Sequence, residues 1–155
     1  MESPPEAAGD AEPGFGHRDT FPFRARIQVK ATDKTTGRVS KVNLSNWIRL
    51  AEAPEPAFFL VLEMGGQGVP EAAYLVHVDE DIIRSVLRQQ RENEVGPQTL
   101  LHKINLPLVY KNAPRVEPLS GRGLLDAVDA VVDAAPCDYF AWKHTVKTTA
   151  GFEHG

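Results

Sequence analysis

Two polar side chains in segment 23–30 have the types and the spacing for phosphate chemistry. The segment alternates apolar and polar residues, as half-buried strands do. Side chains two positions apart on a strand point to the same face, so Gln28 and Lys30 project together. An amide oxygen can bind a hard cation, and an ammonium group can stabilise negative charge near an attacking water. The pair therefore suits metal-dependent phosphodiester cleavage, if a neighbouring strand contributes a carboxylate.

Positive charge is concentrated around this pair. Positions 24–41 hold six basic residues against one acidic residue, Asp33, whereas the whole chain has a net charge of −4. The overall charge argues against a broadly basic nucleic-acid coat, but the local excess suits contacts to phosphates. Besides Lys30, the predicted nucleic-acid-binding residues are Arg24, Arg26, Lys34, Arg38 and Lys41.

Length and composition are those of an ordinary globular protein. The 155 residues suffice for one domain with its own core, with 42% hydrophobic and 25% charged residues. The only cysteine, Cys137, excludes an internal disulfide and a cysteine-based zinc site. The sequence shows neither an apolar run of the ~18 residues that a membrane span needs nor a signal peptide, which predicts no membrane contact and a cytoplasmic location.

The elements that must position the pair alternate between strands and helices. After the strand at 23–30, the sequence predicts a loop or hairpin turn, a short helix at 46–52 capped by Ser45, and a buried strand at 57–64. A hairpin turn, a strand at 72–78, a helix that begins at Asp79, an extended segment near 100–110 and a helix at 121–135 follow. This order predicts an α/β (α+β) fold with a central mixed sheet flanked by helices. Its predicted parts are a flexible arm at 1–18, the domain at 19–135 and a tail at 136–155.

Segment 27–32, Ile-Gln-Val-Lys-Ala-Thr, resembles the Gln/Glu-x-Lys signature of the PD-(D/E)xK nuclease superfamily. The helix around Trp47, the break at Pro56 and the apolar strand at 58–62 are similar to the double-strand-DNA nuclease-like domains of bacterial restriction and antiphage proteins. The resemblance spans about residues 19–110. It implies a restriction-endonuclease-like fold, Mg²⁺ as cofactor, DNA as partner and DNA endonuclease activity in bacterial defence.

Carried over residue by residue, the resemblance makes Lys30 the motif lysine and Gln28 the ligand at the Glu/Gln position. Asp19 is the aspartate before the motif, so that Asp19 and Gln28 would hold the metal, and Asp10 is the alternative to Asp19. The family has a Glu-bearing helix before the first core strand, which this sequence lacks. The resemblance therefore implies a copy that is shortened at its N-terminus, completed by another chain, or degenerate.

Two other functions are compatible with the same residues. The chain is alternatively a non-catalytic nuclease-fold module that binds nucleic acid or a protein partner, with salt-sensitive DNA binding and no cleavage. It is alternatively a structural module that forms homo-oligomers through the strand at 58–62 and the aromatic tail around Trp142. His77, on the strand at 72–78, is predicted to have a structural role.

Overall fold

The computed structural model describes residues 24–66, 68–96 and 100–150 of the chain. These residues form two sheets with helices packed around them. In chain order the elements are β1 (Arg26–Thr32), β2 (Arg38–Asn43), α1 (Leu44–Glu52), β3 (Ala57–Glu63), β4 (Ala72–His77), α2 (Glu80–Val95), a 3-10 turn (Leu101–Lys103), β5 (Asn105–Val109), α3 (Gly121–Asp133) and α4 (Tyr139–Ala150). None of the helices in these three ranges is both long enough and apolar enough to cross a membrane.

The main sheet has the strand order β1-β3-β4. β1 and β3 are parallel, with Gln28 opposite Phe59 and Thr32 opposite Glu63, whereas β3 and β4 are antiparallel. Parallel neighbours need a crossover connection, and α1 lies in the chain between these two strands. The predicted α/β (α+β) class with a mixed sheet is therefore confirmed.

The two faces of the main sheet belong to different hydrophobic clusters. Phe59 and Val61 point into the larger cluster, together with apolar residues of α1, α2, β2 and β5. Phe58 points into the smaller cluster, which α3 covers on the opposite face. All three side chains are fully buried, as the apolar run of β3 predicts. Because Phe58 and Phe59 serve the chain's own core, they are not available to a partner chain.

The loop after β1 does not form a hairpin. β2 instead pairs antiparallel with β5 in a separate two-stranded sheet, with a register shift between Val39 and Val42. Trp47 of α1 joins the two sheets, because its ring packs edge-on against Phe59 and its indole N–H donates to the carbonyl oxygen of Leu106 at 3.3 Å.

The starts of α2 and α1 differ in whether neighbouring residues or a tertiary contact determine them. The helix predicted to begin at Asp79 is present as α2, which begins one residue later at Glu80. Asp79 is its N-cap, since its carboxylate accepts a hydrogen bond from the backbone N–H of Ile82 at 3.1 Å. The predicted cap of α1 is wrong: the helix begins at Leu44, so the N-cap position is that of Asn43 and not Ser45, and the Asn43 side chain makes no capping hydrogen bond. The backbone N–H of Leu44 donates to Ile104, so a tertiary contact sets this helix start.

The segment predicted as a tail from position 136 contains α4 in its described part. This helix packs against α2, and Val146 belongs to the larger hydrophobic cluster. Lys143 of α4 is fully buried, and its ammonium group donates to the backbone carbonyls of Leu50 at 3.0 Å and Glu55 at 2.7 Å. Residues up to 150 are therefore integrated with the core.

Candidate functional site

The side chains of Gln28 and Lys30 project from the same face of β1. They share this face with Phe59, Val61 and Glu63 of β3, because residues that are paired in a sheet point the same way. Both side chains are half-buried. The strand is displaced from the predicted 23–30 to Arg26–Thr32, but the two residues keep their places in it.

The opposite face of β1 packs against the hydrophobic core over only part of its length. Ala25 and Ile27 pack against the smaller hydrophobic cluster, as their alternation predicts. Val29 is 54% exposed, so it does not join the core. Phe23, the first residue of the predicted apolar face, lies outside the described residues.

A carboxylate that the sequence patterns did not single out lies on the same face as Lys30. Glu63 is the last residue of β3 and is 9% exposed, and no other carboxylate in the described ranges is buried. Lys30 lies opposite Val61, so Glu63 is two residues farther along the neighbouring strand, or about 7 Å in the strand direction. The sequence contains a feature that points to Glu63, because this acidic residue ends an otherwise apolar buried strand.

Tyr110 holds the carboxylate of Glu63. Its hydroxyl donates to Glu63 Oε2 at 2.6 Å, and its ring packs against that of Tyr74 with centroids 5.1 Å apart. Burial raises the pKa of Tyr110 to about 12, and the hydrogen bond and negative charge of Glu63 add to the rise. Tyr110 is therefore a neutral hydrogen-bond donor at neutral pH.

Gly37 places Tyr110 beside the end of β1. Its carbonyl oxygen accepts hydrogen bonds from the backbone N–H groups of Tyr110 at 2.8 Å and Lys111 at 3.1 Å. Gly37 has a φ of +81°, and a Cβ atom on it would lie 2.5 Å from the Cβ of Lys111. This close approach brings exposed Lys111 to the loop that holds Lys34.

The predicted nucleic-acid-binding residues are all exposed, but they do not form one patch. Arg24 and Arg26 lie at the start of β1; a second group, Lys34 and Arg38, flanks the loop after its end, about 20 Å away along the strand, and Lys41 lies farther along β2. Arg26 is engaged by Glu55, with Nε 3.1 Å from Oε1. Burial raises the pKa of Glu55, but this hydrogen bond and the charge of Arg26 outweigh it and leave the pKa below its usual value.

The metal ligands predicted from the resemblance lie only partly within the described ranges. Asp19 and its alternative, Asp10, lie outside the described residues, whereas Gln28 is described. Across 24–66, 68–96 and 100–150 there is no group of three or more His, Cys, Asp or Glu side chains that could hold a metal ion. The same ranges contain no ion pair or hydrogen bond of the Lys30 ammonium group.

His77 lies on the other face of the main sheet, in an aromatic setting. Its Nε2 is hydrogen-bonded to the Tyr139 hydroxyl, and its ring contacts those of Phe58 and Trp142. Burial lowers the pKa of His77 to about 4. The ring lines an open groove of about 290 Å³ between the end of α3 and the start of α4. These contacts are those of the structural residue that the sequence predicts.

No protein-family model, curated protein or solved structure matches this chain. The geometry around Lys30 is therefore the basis for assigning a function. It joins a half-buried lysine, an amide two residues before it and a buried carboxylate on the adjacent parallel strand. Lys30 and Glu63 lie toward the carboxyl ends of β1 and β3, the side on which ligands bind in open α/β sheets, whereas Gln28 lies nearer the start of β1.

Proposed function

We propose that this chain is a nuclease-like domain that binds DNA across β1 and the following loop and hydrolyses phosphodiester bonds with Mg²⁺. The observation that supports this function most is the projection of Gln28 and Lys30 from one face of β1. β1 runs parallel to β3 with α1 between them in the chain, which agrees with the order of elements in the resemblance to PD-(D/E)xK nucleases.

Lys30 has the central role in this proposal. Its stem is partly buried against the sheet, which limits the conformations that the side chain adopts and keeps the ammonium group near one place. There the ammonium group donates hydrogen bonds to a phosphate oxygen of bound DNA and stabilises the negative charge that grows during hydrolysis. Gln28, two residues earlier, presents an amide to the same strand of DNA.

Mg²⁺ would supply positive charge at the phosphate oxygens. This face carries two hard oxygen donors of the kind that Mg²⁺ prefers, the Gln28 amide and the Glu63 carboxylate, but they lie four residues apart in register, so one ion would be held by one of them and not by both. Asp19 remains the aspartate predicted from the resemblance.

The exposed basic residues on either side of Lys30 support DNA as the substrate. Arg24 precedes β1, and Lys34 and Arg38 follow it, so basic groups are spread over about 20 Å. That spacing suits contacts to several phosphates of a duplex, which position the protein without reading sequence. Lys111, next to Gly37, adds a further positive charge to the second group.

The activity is tested on linear double-stranded DNA with Mg²⁺ and with EDTA. Lys30→Met keeps the stem and removes the charge, and we expect it to reduce the cleavage rate by on the order of 100-fold. Lys103→Met, at an exposed lysine of the 3-10 turn, is the matched control and should cut at the wild-type rate. A folded Lys30→Met protein that cleaves as fast as the wild type would falsify the catalytic assignment.

Binding is tested separately, as a function of salt concentration. Neutralising Arg24, Lys34 and Arg38 to Gln should weaken DNA binding and make the salt dependence shallower, by about one unit of slope for each phosphate that the variant no longer neutralises. Arg122→Gln on α3, where the side chain is 79% exposed, is the control. Salt-sensitive binding by a wild-type protein that never cleaves would contradict hydrolysis and favour the non-catalytic module.

A further inference from the structure

We propose that Glu63 is the acidic ligand of a divalent cation at the carboxyl ends of β1 and β3, and that Tyr110 is the positioning residue that orients its carboxylate. The cation is of the hard, oxygen-seeking class, Mg²⁺ or Mn²⁺. This inference deepens the proposed nuclease function and rests on it for the role of the cation, but not for the binding itself.

The burial of Glu63 favours a positive charge close to its carboxylate. A carboxylate at the end of a buried strand loses water, and buried charges in proteins are paired or coordinate metal ions. The hydrogen bond to Glu63 comes from Tyr110, a neutral hydroxyl whose pKa is raised, so it supplies direction but no charge. Within the three described ranges, no ion pair is formed by Glu63.

The hydrogen bond also leaves part of the carboxylate for a ligand. Tyr110 occupies Oε2, which fixes the plane of the group and leaves Oε1 for coordination. Partners of this kind orient metal-binding side chains in many proteins, and their loss costs about 10–100-fold in metal affinity. Tyr110 is itself held by Gly37 and by the Tyr74 ring, so the carboxylate is supported by a rigid environment.

The strand register decides which predicted residue can share this cation. Lys30 lies two residues from the position of Glu63, so a phosphate bound to the cation would come within reach of its ammonium group. Gln28 lies opposite Phe59, four residues from Glu63, or about 13 Å along the strands. Side chains that project in parallel from a sheet cannot bridge that distance through one ion. Glu63 and Gln28 therefore do not coordinate the same cation.

Mn²⁺ is the probe, because its binding can be followed by electron paramagnetic resonance without any DNA. We expect wild-type protein to bind Mn²⁺, Glu63→Gln to bind it at least about 100-fold more weakly, and Tyr110→Phe on the order of tenfold more weakly. Glu52→Gln, at an exposed glutamate of α1, is the control and should bind it as the wild type does. Unchanged binding by a folded Glu63→Gln protein, or no binding by the wild type, would overturn the inference.

A second measurement uses only the wild type, so it does not depend on whether the variants fold. Paramagnetic broadening of amide resonances by Mn²⁺ should be centred on Thr32 and Glu63, and broadening centred elsewhere would contradict the site.

Cleavage assays separate this inference from the function on which it rests. DNA cleavage that needs Lys30 but persists in Glu63→Gln contradicts the inference alone. Mn²⁺ bound through Glu63 by a protein that does not cleave contradicts the nuclease function alone.

Discussion

The hydroxyl of Tyr110 donates to Glu63 Oε2 at 2.6 Å, across 47 positions of the sequence. Tyr110 directly follows β5, and Glu63 ends β3, so this bond joins the two sheets of the fold. It also lies next to the carboxyl end of β1, where Thr32 is paired with Glu63. One contact therefore links the packing of the sheets to the candidate site.

Tyr110→Phe should destabilise the fold by roughly 1–2 kcal/mol. The variant keeps the ring contacts but leaves a buried carboxylate without its donor. Chemical denaturation measures the change, and a double-mutant cycle with Glu63→Gln isolates the coupling between the two side chains. Additive effects of the two substitutions would show that the bond contributes nothing to stability.

Gly37→Ala should cost about 1–3 kcal/mol and loosen the loop around Tyr110. The substitution places a side chain at a φ of +81° and drives its Cβ to 2.5 Å from that of Lys111. Gly66→Ala is a matched control, because Gly66 has a φ of +78° and a Cβ atom on it would have no neighbour within 4 Å among the described residues. Equal losses in free energy of unfolding would show that the close approach to Lys111 has no energetic weight.

Local patterns predict those parts of the fold that depend on neighbouring residues. The apolar run of β3 and the carboxylate of Asp79 at the start of α2 are examples. Burial of a strand on both faces and a favourable helix start each depend on a few consecutive residues. The start of α1 is not local: a hydrogen bond from Leu44 to Ile104 decides it. The pairing of β2 with β5 is likewise set by tertiary structure.

The candidate site likewise has a part that follows from the sequence and a part that only the tertiary structure brings together. Gln28 and Lys30 share a face because they are two residues apart on one strand, and that follows from the sequence. Glu63 and Tyr110 join them through the register of two sheets, which no segment of the sequence encodes alone. The unusual acidic end of β3 could have singled out Glu63, but its partner was not open to prediction.

Lys143→Met should destabilise the protein by about 1–3 kcal/mol at pH 7. Burial lowers the pKa of Lys143 to about 8, so the ammonium group is protonated there and donates to the carbonyls of Leu50 and Glu55. The methionine keeps the apolar stem and leaves both carbonyl oxygens without this donor. Lys147→Met is the control, because Lys147 donates to one exposed carbonyl only, that of Glu52. In thermal denaturation, Lys143→Met should lose more stability than Lys147→Met, and the reverse order would contradict the role of Lys143.

The neutral state of His77 in the folded protein makes stability depend on pH. Burial lowers its pKa to about 4, an effect that the negative charge of Asp79 opposes and the positive charge of Lys143 reinforces. In the unfolded chain a histidine has a pKa of about 6.5. Between these values the unfolded state binds the proton that the folded state excludes, so stability falls as the pH is lowered from about 6.5 to about 4.

His77→Gln removes this titration and keeps a group that can hydrogen-bond to Tyr139. Relative to that variant, the wild type should lose about 2 kcal/mol of unfolding free energy between pH 7.5 and pH 4.5. Urea denaturation over that range measures the difference. A wild-type and His77→Gln pair whose stabilities run parallel over the whole range would mean that His77 has the same pKa in the folded protein as in the unfolded chain. Its ring would then have to be more accessible to water than its contacts with Phe58 and Trp142 indicate.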